Sequence, residues 1–432
     1  MEKNELTDSY INFISNAKTE REASQTIRNV LEQNGFKNFD EVQEIKKGDK
    51  IYFNNKEKAV FAAIIGEEPL YNGMNIIGSH IDSPRLDLKP NPLYNNGDLD
   101  MFKTHYYGGI KKYQWVTIPL SMHGVVRDKS GNKISICIGE KEGDPIFVIS
   151  DLLPHLAQKQ VEKKLKDGIT AEELNIIVGN SGEEISNIIE ERYGINTKEF
   201  YISEIEFVPN FKASYVGFDK KMICAYGQDD KSCAYASLEA ILNVNAASLK
   251  KTAVCIFSDK EEIGSMGNTG MESNLFDFFI NELMNKKQEN FIGGLLKAYS
   301  NSKMLSADVN GAYDPNFEDA FEKTNAGYIG KGINFCKYTG ARGKSGASDA
   351  NAEYLMMIKD ELDKNEIKYQ FTEMGKVDLG GGGTISYILA NKGVEVVDCG
   401  FAILSMHSPY EIMSVDDFYE GYKTYKMFFE LN

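Results

Sequence analysis

The chain has 432 residues, of which 42% are hydrophobic, and this length suffices for one large core and a smaller second core. Acidic residues outnumber basic ones by 64 to 48, so the formal net charge is −16. A charge of this sign repels nucleic acids and anionic membrane surfaces, and no basic run is interleaved with aromatic residues. We therefore predict no nucleic-acid partner.

The N-terminal sequence and the cysteines indicate a compartment. The first ten residues, MEKNELTDSY, are charged and lack the apolar stretch of a signal peptide. The apolar runs are short, and none approaches the roughly 20 residues of a membrane span. The six cysteines are scattered without a CxxC pair, as expected for thiols in a reducing compartment. These features predict a cytoplasmic protein without a membrane segment.

The predicted elements begin with helices over the first 35 residues, where Thr19 and Glu22 match a capping box and Gly35 matches a helix stop. Strands are predicted at residues 50–53, 60–65, 75–78, 252–257, 304–309, 369–372 and 394–399. Helices are predicted at residues 230–244, 274–284, 350–361, 385–390 and 416–429. Because strands alternate with helices, we predict an α/β domain with a mostly parallel sheet.

The middle of the chain has a different pattern. Its β-rich stretches are residues 116–126, 134–138, 147–149 and 200–207, with one helical stretch near 185–191. Gly and Asn residues separate these stretches, as is typical of turns between strands. We therefore predict an inserted β-rich domain over residues 92–221, which divides the α/β domain into residues 1–91 and 222–432.

Two of the five histidines follow apolar runs. His80 follows a predicted strand in GSHIDSPRLDLKP, with Asp82 two residues later, and His407 follows an apolar run in GFAILSMHSPYE. Ligands bind open α/β sheets at such strand ends. An imidazole there can bind a metal ion while a nearby carboxylate orients the ring. The alternative is a structural histidine at the start of a loop.

Acidic residues occur at three further element ends. Asp229 and Asp230 begin a predicted helix in YGQDDKSCAYASLEAI, where a cation would relieve their mutual repulsion and N-capping is the alternative. Glu261 and Glu262 follow an apolar strand in TAVCIFSDKEEIGSMG, where a solvated loop is the alternative. Asp308 follows a strand-like run in SADVNGAYDPNF. Neighbouring carboxylates can divide metal binding and general-base catalysis between them.

The combination is more specific than any single motif. Two imidazoles and three carboxylates without a thiolate suit two Zn, Mn or Co ions that share a bridging carboxylate. The motifs SHIDSP, QDD, EEIGS, SADVNGA and MHSPYE resemble those of the aspartyl aminopeptidase and vacuolar aminopeptidase I family of dinuclear metallopeptidases. The resemblance covers nearly the whole chain. It implies a catalytic domain of the zinc-exopeptidase type and an inserted domain that serves in dimerisation.

The resemblance also implies roles for the matching residues. It implies five metal ligands: His80, Asp229, Glu262, Asp308 and His407. Asp229 would bridge the two ions, Glu261 would act as the general base, and Asp82 would support His80 from behind. The peptide bond between Asp229 and Asp230 is expected to be cis, as in similar dinuclear peptidases.

Four further positions are predicted to lie on the substrate side. The resemblance implies a functional role for His155, in the PHLA sequence; a substrate-side role, which could complete a neighbouring subunit's pocket, is predicted, and metal binding is the alternative. The resemblance implies that Gly381 and Gly382, in the run LGGGGT, line the cleft, where glycines let the substrate backbone approach closely, and the absence of a P-loop lysine disfavours phosphate binding. Lys337 falls close to the position of a lysine in acid-preferring relatives, and Cys336 competes for the same match.

These observations predict a metal-dependent aminopeptidase that removes the N-terminal residue of peptides by means of two divalent metal ions, with zinc preferred. A preference for acidic N-terminal residues is left open. The resemblance implies a homo-oligomer, a dodecamer built from dimers. The alternatives are a related metal-dependent deacylase or carboxypeptidase, and a non-catalytic shell-forming relative. The second alternative expects a missing ligand or base, and none is missing.

Overall fold

The computed structural model describes residues 1–181 and 184–432, which form two compact units. Unit 1 contains residues 1–82, 213–406 and 410–432, and unit 2 contains residues 83–212 and 407–409. Both ends of the insertion lie nine residues earlier than predicted. One reason is that a strand of unit 2 begins at Arg85, directly after the SHIDSP segment.

The elements are numbered in chain order. The helices are α1 (Lys3–Asn16), α2 (Glu20–Gln33), α3 (Gln158–Val161), α4 (Leu165–Gly168), α5 (Ile185–Tyr193), α6 (Gln228–Leu242), α7 (Leu275–Lys286), α8 (Gly294–Ser300), α9 (Ala352–Lys364), α10 (Ser386–Ala390) and α11 (Val415–Phe429). The strands are β1 (Lys37–Asn38), β2 (Lys50–Asn55), β3 (Ala59–Ile64), β4 (Met74–His80), β5 (Arg85–Asn96), β6 (Leu99–Tyr107), β7 (Leu120–Arg127), β8 (Lys133–Ile138), β9 (Ile176–Gly179), β10 (Glu204–Pro209), β11 (Ser214–Val216), β12 (Met222–Ala225), β13 (Thr252–Ser258), β14 (Lys303–Ser306), β15 (Asn310–Gly311), β16 (Ile333–Cys336), β17 (Tyr369–Phe371), β18 (Glu395–Gly400), β19 (Ala402–Leu404) and β20 (Glu411–Ser414).

Unit 1 is built on a mixed sheet with the strand order β1-β2-β3-β13-β4-β14-β18-β16-β17. The adjacent pairs β13–β4, β4–β14 and β14–β18 are parallel, whereas the pairs β2–β3, β3–β13 and β16–β18 are antiparallel. The predicted mixture of helices and strands in an α/β fold is confirmed. The parallel part occupies the centre of the sheet, and antiparallel pairs lie on both sides of it.

Alternate residues of β13 contribute to two different cores. Ala253, Cys255 and Phe257 belong to a core with residues of α1, α2, α6, α9 and α11, whereas Val254 and Ile256 belong to a core with residues of α7, α8 and α10. Successive side chains of a strand point to opposite faces of the sheet. Helices therefore cover both faces, as a buried parallel strand requires.

Unit 2 contains an antiparallel sheet with the order β8-β7-β10-β5-β6-β9. The predicted strand at 200–207 is a 3-10 turn at Thr197–Ile202 followed by β10, and of the predicted stretch 147–149 only Phe147 and Val148 form isolated bridges. No helix in the described residues is long and apolar enough to cross a membrane. The cysteines are unpaired, and Cys137 is exposed whereas the other five are buried.

Candidate metal centre

Three neighbouring parallel strands of unit 1 end at one edge of the sheet and bring predicted site residues to it. His80 is the last residue of β4, Glu261 follows the end of β13, and Asp308 follows the end of β14. Asp229 lies in the first turn of α6, which packs on β4. The carboxyl edge of a parallel sheet is where α/β folds bind ligands, and residues far apart in sequence meet here for that reason.

His80 is buried and surrounded by carboxylates. Its Nε2 lies 3.2 Å from Oδ1 of Asp229 and 3.9 Å from Oε2 of Glu261, and its Nδ1 lies 3.3 Å from Oδ1 of Asp82. Burial lowers the pKa of His80, but hydrogen bonds to Asp229 and Asp82 outweigh burial and hold that pKa well above its usual value. The two ring nitrogens therefore face different carboxylates, as expected when one binds a metal and the other is oriented.

Asp82 connects His80 to the acidic turn after β13. Its Oδ1 accepts the backbone N–H of Glu261 and its Oδ2 accepts that of Glu262, each at 3.2 Å. The Asp82 side chain is fully buried. The carboxylate predicted to support His80 therefore also fixes the backbone that carries both glutamates.

The acidic pair at the start of α6 has an irregular backbone. The peptide bond between Asp229 and Asp230 is cis, as predicted, and neither residue has helical φ and ψ angles. The backbone N–H of Asp229 donates to Oε2 of Glu411 at 3.1 Å, and Oδ2 of Asp230 accepts the N–H of His80 at 3.2 Å. Two carboxylates absent from the predicted site, Asp230 and Glu411, thus hold the backbone of two predicted ligands.

The centre brings several carboxylates together in a largely buried position. Burial and then the charges of Asp230 and Asp229 raise the pKa of Asp308 well above its usual value. Burial also raises the pKa of Asp230, against the opposing effect of His80, and Asp229 raises it further. Carboxylates that disfavour one another's ionisation need a neutralising partner in order to remain charged at neutral pH.

The donor atoms form two overlapping groups around His80. Ligand atoms of His80, Asp229 and Glu262 lie within 4.8 Å of one another, and so do those of His80, Glu261 and Asp308. An imidazole with carboxylate oxygens is a donor set for Zn, Mn or Co. The residues present therefore fit divalent cations, whose positive charge would favour the ionised form of these carboxylates.

His407 lies outside both groups. The chain on either side of residues 407–409 belongs to unit 1, whereas these three residues belong to unit 2. The Nδ1 of His407 is 2.8 Å from the carbonyl oxygen of Gly109, and its φ is +62°. If Nδ1 carries the proton and donates it to this carbonyl, the lone pair lies on Nε2, as in most metal-binding histidines.

A cavity of about 430 Å³ in unit 1 is lined by two glycine-rich segments, and it includes the predicted residues Gly381 and Gly382. The N–H of Gly340 donates to the carbonyl of Gly382 at 2.8 Å and so joins the two segments. Cys336 lines the cavity, and the Asp308 charge is among the factors that raise the pKa of its thiol to about 12, after burial and Asp398. Cys336 ends β16, which is separated only by β18 from β14, the strand that precedes Asp308.

The class of enzyme follows from the similarity of the chain to known proteins. Residues 13–429 match the family model described as aminopeptidase I zinc metalloprotease (M18). The chain belongs to the M18 family of aminopeptidases. It is a metallo-aminopeptidase, a hydrolase that acts on peptide bonds. The family resemblance predicted from the motifs is thereby confirmed.

Similar proteins cover this M18 aminopeptidase almost completely. A probable M18 family aminopeptidase 1 of Clostridium acetobutylicum is 49% identical over 98% of this chain and 94% of that protein. The crystal structure of an M18 aminopeptidase from Thermotoga maritima has a TM-score of 0.95 at 40% identity, covering 99% of this chain and 97% of that one. The S. cerevisiae mApe1 dodecamer has a TM-score of 0.80 at 21% identity, covering 99% and 96%, and shows likeness of fold.

Two residues that the sequence predicts on the substrate side, Lys337 and His155, do not line the cavity. Lys337 is exposed and does not line the cavity, because it follows Cys336 at the end of β16 and successive residues point to opposite sides. Arg342 and Lys344 are the cations that line the cavity. His155 is exposed, on a 3-10 turn of unit 2.

Sequence inspection missed Glu411 as a support of the metal centre. The residue ends the motif MHSPYE and is buried, with 1% of its surface exposed. A glutamate that ends the same motif as the predicted ligand His407 was the available signal. Its partner in the acidic pair lies 182 positions earlier, so the contact itself could not be predicted locally.

Proposed function

We propose that this M18 aminopeptidase removes the N-terminal residue of peptides by means of two divalent metal ions held at the edge of the unit 1 sheet. The observation that carries the proposal is the meeting of His80 with Asp229, Glu261, Glu262 and Asp308 within hydrogen-bonding or ligand-sharing distances. Zinc is the proposed ion, with Mn and Co as alternatives that accept the same donors.

The proposed metal ligands are the same five residues that the sequence predicts. They are His80, Asp229, Glu262, Asp308 and His407. Asp229 is proposed as the bridge, as the family resemblance implies, and its carboxylate lies 3.2 Å from Nε2 of His80, the residue that belongs to both donor groups. His407 is proposed as the second imidazole, supported by the backbone carbonyl that faces its Nδ1.

Glu261 is the proposed general base. Bound divalent cations contribute Lewis acidity, which polarises a scissile carbonyl and lowers the pKa of a water. Glu261 would accept the proton of the attacking water and return it to the leaving amine. Asp82 would keep this carboxylate in place through the backbone N–H of Glu261, and it would keep His80 oriented through Nδ1.

The cavity wall is proposed to receive the substrate. Gly381 has a φ of +125°, and a Cβ at this position would collide with the carbonyl of Gly340, so the surface there is bare backbone. The preference for acidic N-terminal residues is proposed to depend on a local cation, since the net charge of −16 opposes acidic substrates at long range. Arg342 and Lys344 support this role by their place in the wall, and Lys337 by its sequence match.

Assembly is proposed to involve unit 2, into a homo-oligomer of the kind that the mApe1 dodecamer represents. His155 is proposed to serve the substrate pocket, in its own or a neighbouring subunit. Its exposure on unit 2 supports this proposal. A cytoplasmic location is proposed from the scattered, unpaired cysteines.

Reconstitution of the metal-free protein tests the function directly. The protein is loaded with Zn, Mn or Co and assayed with a series of aminoacyl anilides and, in parallel, with N-acyl amino acids. Metal-dependent release of the anilide at a stoichiometry of two ions per chain is the expected result. Hydrolysis restricted to N-acyl substrates, or full activity with one ion, would contradict the proposal.

A further inference from the structure

Asp398 is a buried carboxylate that none of the roles above uses. It lies on β18, and 3% of its surface is exposed. In the register of the sheet it is paired with Ser306 of β14 on one side and with Cys336 of β16 on the other. The part of the chain that the structure describes provides no ion pair for it. Burying a carboxylate in this way is unfavourable, so its position requires a reason.

The reason is found at the end of the glycine run. The hydroxyl of Thr384 donates a hydrogen bond to Oδ1 of Asp398 at 2.6 Å. The same hydroxyl oxygen lies 2.8 Å from Oγ of Ser386 and accepts the backbone N–H of Ser386 at 3.2 Å. Thr384 directly follows the glycines at 380–383, and Ser386 is the first residue of α10. Asp398 therefore attaches the end of the glycine run to the sheet.

Among the described residues, the hydrogen bonds to the rest of the glycine run come from backbone atoms. The N–H of Gly380 donates to the carbonyl of Lys376, and the carbonyl of Gly382 accepts the N–H of Gly340, both at 2.8 Å. Four consecutive glycines have a large conformational freedom and no side chains to restrict it. Thr384 is the first residue after the glycines that has a side chain. Its hydrogen bond to Asp398 therefore restricts the backbone conformation at the end of the glycine run.

The glycine run and Cys336 line the same cavity, and Cys336 is the register partner of Asp398. We propose that Asp398 is a positioning residue for the substrate, which acts through Thr384 to hold the glycine run in the shape that receives the peptide. This inference rests on the proposed function, because the peptide is what the cavity is proposed to receive.

The charge state of Asp398 is consistent with this task. Burial raises the pKa of Asp398 to about 6, while the hydroxyls of Thr384, Ser306 and Ser386 lower it. The titratable group that faces it from β16 is the Cys336 thiol, which is protonated at neutral pH because its own pKa is raised to about 12. Asp398 is therefore ionised at neutral pH, and an ionised acceptor makes the stronger hydrogen bond.

The test compares Thr384→Val with Thr384→Ser in the metal-loaded enzyme. Valine has the shape of threonine without the hydroxyl, so the anchor to Asp398 is lost. We expect KM for an aminoacyl anilide to rise about tenfold or more, the size of a lost hydrogen bond to a charged group. The turnover number and the bound metal should change little. Serine keeps the hydroxyl, so Thr384→Ser should restore KM.

Hydrogen exchange of the amides at 380–384 provides a reading that is independent of activity. It should accelerate in Thr384→Val and remain near the wild-type rate in Thr384→Ser. Should Thr384→Val fail to fold, Asp398→Ala must show the rise in KM and the faster exchange.

An active wild type whose Thr384→Val variant keeps its KM and its exchange rates would overturn the inference. Equal losses of metal and turnover in Thr384→Val would also overturn it, since they would show support of the metal centre instead. An inactive wild type with bound metal would refute the proposed function, and the exchange data would still report whether Thr384 anchors the run.

Discussion

The metal centre and the cavity wall are both parts of unit 1, but their functional surfaces are formed by different groups. In the centre they are buried or half-buried side chains, and hydrogen bonds from the N–H groups of Glu261 and Glu262 to Asp82 fix the turn that carries the two glutamates. In the wall, six of the 14 lining residues are glycines, and their backbone is held in part by the bond from Gly340 to Gly382 and by the hydrogen bond from Thr384 to Asp398. Substitutions in the centre should therefore abolish chemistry or metal binding, whereas those in the wall should change substrate affinity.

The largest effect is expected for the two adjacent glutamates. Glu261→Gln retains the size of the side chain and removes its basicity, so both metals should stay bound while the turnover number falls by about 10²–10⁴-fold. Glu262→Gln weakens a charged ligand, so metal occupancy should fall and excess metal should restore part of the activity. Metal content and turnover number, measured for both variants together, provide the check.

The two variants control for each other, because both lie in the turn that Asp82 holds. Full activity in Glu261→Gln would show that this residue is not the base. Metal loss in Glu261→Gln with none in Glu262→Gln would show that Glu261 is the ligand and Glu262 the base. This outcome is worth testing because Glu261 belongs to one of the two groups of ligand atoms.

Asp82→Asn should damage the centre without removing a ligand. An asparagine can accept one of the two backbone N–H groups, and its NH₂ would face the other donor. We expect a loss of metal affinity of about 10–100-fold and a fall in the free energy of unfolding of about 1–3 kcal/mol. Titration with metal and denaturant unfolding measure the two effects.

Asp360→Asn, at an exposed carboxylate of α9, is the matched control and should change neither quantity. Wild-type metal affinity in Asp82→Asn would mean that the backbone of Glu261 and Glu262 holds its place without this carboxylate.

Asp398→Asn should change how stability depends on pH. The pKa of Asp398 is raised from 3.8 to about 6 in the folded chain, so the folded state binds its proton more tightly than the unfolded state. The contribution of this residue to stability is therefore present below pH 4 and is lost as the pH rises through 6. The asparagine does not titrate, so the wild type should lose up to about 3 kcal/mol relative to the variant between pH 4 and 7.

Unfolding by denaturant at several pH values measures this difference. Other titrating groups, such as Asp417 with its pKa raised to about 6 by burial, are common to both proteins and cancel. A difference that stays constant with pH would show that Asp398 has an ordinary pKa.

The smallest effect is expected for the cations of the cavity wall. If a local cation selects acidic N-terminal residues, Arg342→Ala should lower the ratio of aspartyl to leucyl turnover by a few-fold, about the size of a partly exposed charge pair. Lys337→Ala is the matched comparison, since Lys337 is predicted from the sequence but lies outside the wall. An unchanged ratio in both variants would refute an acidic preference based on these residues.

Local sequence signals were sufficient where the determining contacts are local. The capping box at the start of α2 is present as predicted, with Thr19 accepting from the N–H of Glu22 and Glu22 accepting in return. The apolar run at 252–257 is strand β13, whose residues are buried on both faces. The residue types of the metal centre could also be named, because the motifs in combination are more specific than any single one of them.

Contacts between residues that are far apart in the sequence were determined only by the tertiary structure. Asp82 meets Glu261 across 179 positions and Asp229 meets Glu411 across 182, so neither contact leaves a local signal. Cys336, the last residue of β16, lines the cavity, whereas Lys337, the residue after this strand, is exposed and does not. The sequence by itself thus determined the chemical groups of this enzyme, and the pairing of distant strands determined which of those groups face one another.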